Sequence, residues 1–269
     1  MTTPDVPPTP DVPLRVELTF ELPGSPEQVW DAIATANGIS SWFLRTDIEE
    51  REGGALAVHM GETDSEGIVT KWEPPRRLVY EEPDWASLAG REGAPVTPLV
   101  SEYLVEAKSG GTCVLRVVAS AFGTGADWEN EFFEEMTKNW VPFFDNLRLY
   151  LAEFPGQRVT SLEVSATLSG PVAAVFAAMR ADLGAREPGD PVNVRGLTGR
   201  VHRVDPSGVL VRIGAPFDGF MSFYAFDAEG DTTMAAITGW LFSENASEYV
   251  RRATPEWQAW LESLAVPAA

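Results

Sequence analysis

Few residues in this chain are of the types that move protons, attack carbon or hold metals. His59 and His202 are the only histidines, so they are the only side chains with an ordinary pKa near neutrality, and they stand in different halves of the chain. His59 lies between Val58 and Met60 in a strand-like stretch, so it points away from both. If Val58 and Met60 face a cavity, His59 faces solvent, and that is the reading we favour. With Tyr80, Glu102 and Tyr103 it completes the set available for acid/base or orienting roles. Glu102 and Tyr103 are adjacent in a strand pattern, so at most one of them enters a cavity. No two histidines share helical spacing, and the carboxylates Asp47, Glu49, Glu50 and Glu52 form a surface-type run. Cys113, the single cysteine, sits in an apolar stretch that predicts a buried, inert thiol and excludes an internal disulfide or a cysteine metal cage. There is no Gly-x-Ser-x-Gly, and the pairs Gly53-Gly54 and Gly110-Gly111 and the run Gly123-Thr124-Gly125 lack the lysine and hydroxyl of a phosphate loop. We therefore expect no catalytic residue, no metal and no cofactor.

What the chain has instead is aromatic rings. Trp128, Phe132, Phe133, Met136, Trp140, Phe143, Phe144, Leu147 and Leu151 recur at steps of three and four, predicting a long helix from Asp127 to Phe154. Together with strand residues, a set can surround a space between sheet and helix: Trp42, Phe43, Met60, Trp72, Tyr80, Trp85, Tyr103, Phe122, Trp128, Phe132, Met136 and Trp140. Such a set either fills a core or holds a small hydrophobic or aromatic ligand. A cavity of several hundred Å³ under the helix would decide for the ligand. Pro142, inside the helix, removes a hydrogen bond and crowds the Lys138 carbonyl, predicting a bend there.

The elements that must position these residues follow from periodicity. Leu14 to Leu22 alternates apolar and polar, a half-buried strand. Ser25-Pro26-Glu27-Gln28 is a capping box opening a helix with Val29, Trp30 and Ile33 that stops near Asn37-Gly38. A short helix from Ile39 to Phe43 follows. Strands are then predicted over Thr46–Glu49, Ala55–Met60, Gly67–Glu73, Arg77–Glu82, Leu99–Ala107 and Thr112–Phe122, with Pro83 to Pro98 as a loop. After Phe154-Pro155-Gly156 the order starts again. A strand from Thr160 leads to a helix with Val172, Val175, Phe176 and Met179, and then to strands Gly199–Val204, Val209–Ile213, Phe220–Asp227 and Thr232–Phe242. The turn Asp205-Pro206-Ser207-Gly208 separates the first two of these strands and Ala228-Glu229-Gly230-Asp231 the last two, and a helix from Ala246 to Leu264 follows, interrupted at Pro255.

The 269 residues carry a net charge of −20, and residues 1–156 hold 27 acidic against 11 basic side chains. That field repels polyanions, so nucleic acid is not expected as a partner. No apolar run reaches membrane-spanning length, and the proline-rich start lacks a signal peptide, which predicts a cytoplasmic protein. We expect a disordered lead over residues 1–13, a first domain over 14–154, a linker over 155–159 and a second, abbreviated domain over 160–266.

Three stretches carry a resemblance. Val29-Trp30-Asp31-Ala32-Ile33 with Trp42-Phe43, then Gly67 followed by Trp72-Glu73-Pro74-Pro75-Arg76-Arg77-Leu78-Val79-Tyr80, and Asn139-Trp140 through Tyr150-Leu151 together resemble the SRPBCC or START-like superfamily. The branch is that of the activator of the heat-shock-protein-90 ATPase. Asn139, where relatives commonly have glycine, departs from the pattern. The resemblance implies an α+β helix-grip fold, a curved antiparallel sheet wrapped around a long C-terminal helix, with a hydrophobic cavity between them. The second half is read as a degenerate copy in tandem by order of elements. The function expected first is non-catalytic binding of a small hydrophobic or aromatic ligand. The alternatives are a polyketide cyclase or dehydratase-like enzyme using His59, Glu102, Tyr80 and Tyr103, and a protein-interaction domain of the chaperone-activator kind. Oligomeric state and ligand identity are not legible.

Overall fold

The alternation of residues 14–22 becomes β1 (Val12–Pro23), with Leu14 and Leu22 buried and Arg15, Glu17, Thr19 and Glu21 exposed. Two residues of the expected lead, Val12 and Pro13, belong to this strand because they pair with Gly123 and Phe122. The computed structural model describes residues 10–61, 63–206, 208–228 and 232–264. The rest of the lead up to residue 9, parts of the turns at Ser207 and Glu229-Gly230-Asp231, and the end of the second expected domain lie outside the described residues.

The chain divides into two units after Gly156. In the first, β1 is followed by α1 (Pro26–Ala34), α2 (Ala36–Ser40), β2 (Thr46–Ile48), β3 (Ala55–Met60), β4 (Thr63–Glu73), β5 (Arg77–Glu82), a 3-10 turn (Trp85–Ala89), β6 (Leu99–Lys108), β7 (Thr112–Gly123) and α3 (Asp127–Glu153). The seven strands form one antiparallel sheet in the order β1-β7-β6-β5-β4-β3-β2, so the first strand closes against the last and the others meander back. The capping box of α1 forms as read, Gln28 N donating to Ser25 Oγ at 3.3 Å and Ser25 N to Gln28 Oε1 at 2.9 Å. The helix boundary after it differs from the sequence expectation. Asn37 and Gly38 lie inside α2, not at the end of α1, because Thr35 caps a new helix by accepting from Gly38 N at 3.0 Å. Gly38 is needed there: a Cβ would run into the Asp31 carbonyl of α1.

The concave side of the sheet is set by the pleat. On it lie Leu78, Tyr80 and Glu82 of β5, directly across from Tyr103, Ser101 and Leu99 of β6. Val58 of β3 faces Ser65 of β4, and Leu56 faces Gly67. The C-terminal half of α3 is packed tightly, with Phe144, Leu147, Tyr150 and Leu151 buried and Phe144 stacked on Phe20 at 4.2 Å. Ahead of Phe144 the helix is not closed in the same way: Trp128, Phe132, Trp140 and Phe143 remain half-buried. Helical geometry continues through Pro142 over the full length of α3.

The second unit holds β8 (Thr160–Ser169), α4 (Val172–Leu183), β9 (Pro191–Val194), β10 (Leu197–Val204), β11 (Gly208–Ala215), β12 (Gly219–Asp227), β13 (Thr232–Leu241) and α5 (Ala246–Ser263). Its sheet order, β8-β13-β12-β11-β10-β9, again places the first strand beside the last and meanders back. The fold is α+β, two sheet-and-helix units in tandem. α5 is continuous through Pro255, contrary to the expected interruption. Trp257 and Trp260 of α5 are buried against Phe223, and the Arg195 guanidinium lies 5.6 Å from both indole rings.

The start of α3 depends on one carboxylate. Ala126 at the cap has no side chain to accept a hydrogen bond, and the buried Glu129 does so instead. It accepts from the Thr124 amide and hydroxyl, each at 2.9 Å, from Gly125 N at 2.9 Å and from Ala126 N at 3.2 Å. Burial raises its pKa, but these four donors together outweigh it and hold the carboxyl below its ordinary value. A lowered folded pKa means stability that is present above the unfolded value and lost as pH falls through the folded one. Glu129→Ala is expected to cost about 1–3 kcal/mol at pH 7 in urea unfolding. The difference from the parent should shrink on acidification below the carboxylate range.

Candidate functional site

Where α3 fails to fill the grip, a cavity of about 140 Å³ remains. Its helix wall is Phe132, Met136, Trp140, Phe143 and Phe144 of α3, with Ile33 of α1 and Ile39 of α2 beside them. Trp42 and Phe43 follow α2, while Leu56, Val58 and Met60 come from β3. The floor is Ser65 of β4, Tyr80 and Glu82 of β5, and Leu99 and Tyr103 of β6. Met60 and Leu88 are also among the exposed apolar side chains, so they form its rim. A larger depression of about 550 Å³ lies at the β2 to β4 edge. It has neither an aromatic ring nor an α3 residue in its walls and is open to solvent, so it encloses nothing.

Eight of the twelve residues named from sequence line the cavity: Trp42, Phe43, Met60, Tyr80, Tyr103, Phe132, Met136 and Trp140. Four do not. Trp72 lies on the concave side but packs edge-on against Trp30 of α1 at 5.1 Å, beyond the cavity. Trp85 is fully buried, its indole N–H donating to the Thr97 carbonyl at 2.9 Å, and its ring meets Trp128 at 5.6 Å, Phe132 at 4.9 Å and Phe133 at 5.7 Å. Trp85 and Trp128 are thus core that plugs the space under the first turn of α3. Phe122 is half exposed, because β7 turns Ala121 inward and therefore Phe122 outward.

The acid/base set read from sequence is not assembled. Val58 and Met60 face the cavity, and His59 therefore stands on the outer face. There it bridges Asp47 Oδ2 from Nε2 and Asp64 Oδ1 from Nδ1, both at 2.9 Å. Asp47 first and Asp64 second raise its pKa, since only the imidazolium donates to both carboxylates. Glu102 is also outside, accepting from Arg77 Nε at 2.7 Å. His202 is exposed on β10 in the second unit. The Cys113 thiol is buried and donates to the Gly24 carbonyl at 3.2 Å, and burial pushes its pKa up. Among the described residues no group of His, Cys, Asp and Glu is arranged to hold a metal.

What sequence reading missed is Glu82. It sits at the end of β5 beside Glu81, where a pair of acids reads as solvated surface, yet strand parity turns Glu82 inward with Tyr80. Its Oε1 accepts from the Ser65 hydroxyl at 2.5 Å. Burial pushes its carboxyl up, opposed by that hydrogen bond. Next to it the Tyr80 and Tyr103 hydroxyls are hydrogen-bonded at 3.1 Å, their rings stacked at 5.8 Å. Burial pushes both phenols up, Tyr103 to about 12 and Tyr80 well above its ordinary value, so both remain protonated donors at neutral pH. The Ser101 hydroxyl, across from Tyr80, is buried without a well-formed hydrogen bond. The cavity is thus apolar with one polar pole made of a carboxyl and hydroxyls.

A carboxyl raised in the folded state costs stability once it ionises: its contribution is best below the unfolded pKa and is lost as pH rises through the folded one. Glu82→Gln keeps the shape without the charge. In thermal melts the variant should be more stable than the parent at pH 8, and this advantage should vanish near pH 4.

Residues 23–152 match the family model described as Activator of Hsp90 ATPase homolog 1-like protein. A search of curated proteins found no match. Among solved structures, the di-domain ARO/CYC BexL from the BE-7585A biosynthetic pathway is 15% identical, covering 95% of this chain and 100% of its own, with a TM-score of 0.46. Protein MLL2253 from Mesorhizobium loti is 20% identical over 52% of this chain and 98% of its own, TM-score 0.46. The Aha1 dimer from Colwellia psychrerythraea is 16% identical over 51% of this chain and 96% of its own, TM-score 0.41. Seven antiparallel strands gripping a long C-terminal helix, with that match running from the end of β1 into α3, give the first unit an SRPBCC/Activator of Hsp90 ATPase homolog 1-like helix-grip fold.

Proposed function

We propose that the first unit binds a small apolar or aromatic ligand, about one ring in size, between its sheet and α3 without converting it. The observation that supports this most is the incomplete packing of the helix: Phe132, Trp140 and Phe143 stay half-buried around space they do not close. At about 140 Å³ that space is smaller than the several hundred Å³ expected of a drug-sized site. It matches apolar cavities of roughly 150 Å³ that admit benzene. The eight lining residues anticipated from sequence are the proposed contacts, joined by Phe143, Phe144 and Val58.

The non-catalytic part of the reading is supported by what the cavity lacks. His59 and Glu102 are outside it, so of the acid/base set read from sequence only the two phenols, which remain protonated, reach the cavity. The family description supports a protein partner as a second reading, to which the geometry of the cavity adds nothing.

The test is a thermal-shift and native mass-spectrometry screen of single-ring compounds against larger lipids and polycyclic aromatics. Single-ring compounds are expected to bind one per chain and raise the melting temperature, while polycyclic compounds bind weakly or not at all. Val58→Phe, which fills the cavity from β3, should abolish binding and cost no more than about 1–3 kcal/mol of stability. Absence of any single-ring binder, or undiminished binding by Val58→Phe, contradicts the proposal.

A further inference from the structure

Of the described residues lining the cavity, Glu82 is the only one with a group that ionises below the tyrosine range; no lysine, arginine or histidine accompanies it. The sheet makes room for it. Ile68 pairs with Glu81, which sets Gly67 across from Glu82. A Cβ at Gly67 would stand 3.3 Å from the Glu82 Cγ and 2.8 Å from the Glu81 carbonyl oxygen. The bare backbone at Gly67 is what lets the Glu82 side chain lie over β4 and reach Ser65. That hydroxyl occupies Oε1, and among the described residues no hydrogen bond reaches Oε2. A carboxylate that lines an aromatic-walled space with one of its oxygens anchored is equipped to receive a donor.

The walls point to the charge of that donor. Ring faces carry negative potential and attract cations within about 6 Å. Trp42, Phe43, Phe132, Trp140, Tyr80 and Tyr103 surround the space in which the carboxyl stands. The acidic excess of residues 1–156 adds a field of the same sign. We infer that the cavity selects a small organic cation, a primary or secondary ammonium attached to about one ring, with its nitrogen against Glu82 and its ring among the aromatic side chains. This rests on the cavity being a ligand site. An ammonium replaces its lost hydration with a charge-assisted hydrogen bond to Oε2 and with ring faces, and it offsets the cost of a buried carboxylate. A carboxylate ligand of the same shape would meet Glu82 and the ring faces with the wrong sign. A neutral ring gains burial alone.

The experiment titrates the full chain by calorimetry at pH 7.5 with three probes of matched shape: benzylamine, benzyl alcohol and benzoate. Benzylamine is expected to bind about tenfold or more tighter than benzyl alcohol, the scale of a hydrogen bond to a charged group, and benzoate is expected not to bind. Glu82→Gln should reduce the preference for benzylamine over benzyl alcohol to within about twofold, with a cooperative thermal melt showing that the variant is folded. Equal binding of amine and alcohol, binding of benzoate, or a preference that survives Glu82→Gln overturns the inference and leaves the ligand site standing. No binding of any probe overturns both.

Discussion

The two-residue period of the sheet is the constraint from which the rest of the first unit follows. Each strand offers one set of side chains to α3 and the other to solvent, and a shift by one residue would exchange them. Parity along β3 sends Val58 inward and His59 out to Asp47 and Asp64. Parity along β6 sends Tyr103 inward and Glu102 out to Arg77, and parity along β5 brings Tyr80 and Glu82 in together. The chemistry of the cavity is therefore decided by register. Of the ionisable groups on these strands, one carboxyl and two phenols end inside.

The second determinant is how well α3 fits the curve it occupies. From Phe144 onward its side chains are buried and stacked, as between Phe144 and Phe20. At its start, Trp85 rises from the 3-10 turn to meet Trp128, Phe132 and Phe133 and closes the space beneath. Between these plugs the rings are too few to fill the volume, and the polar groups of the floor are left facing it. A core built for stability alone would not keep Glu82 there, because its ionised form is disfavoured by burial.

Much of this was legible in the sequence, for identifiable reasons. Long amphipathic runs with clear punctuation, such as β1, β3, β5 and α3, were read to within a few residues, because periodicity and turn chemistry agree there. Pro191–Val194 was missed because four residues carry too little periodicity, and Pro255 did not interrupt its helix. In the site, strand parity was legible, as the opposition of Glu102 and Tyr103 shows. Trp72, Trp85 and Trp128 do not line the cavity, and ring type could not say so because it does not tell whether a neighbour already occupies the space. Glu82 was overlooked for the converse reason: next to Glu81 it looks like solvated surface, and only the pairing with Leu99 reveals which way it points.

The claim on which the functional account stands is that an open, ring-sized space exists between Tyr80, Tyr103 and Trp140. Anomalous diffraction from crystals soaked in iodobenzene tests it without presuming any polar recognition. A single strong iodine peak inside that space, with the surrounding rings scarcely displaced, is expected. Crystals that show no peak there, or iodine only on the protein surface, would mean that the aromatic side chains close the cavity and that the first unit grips its helix around a core.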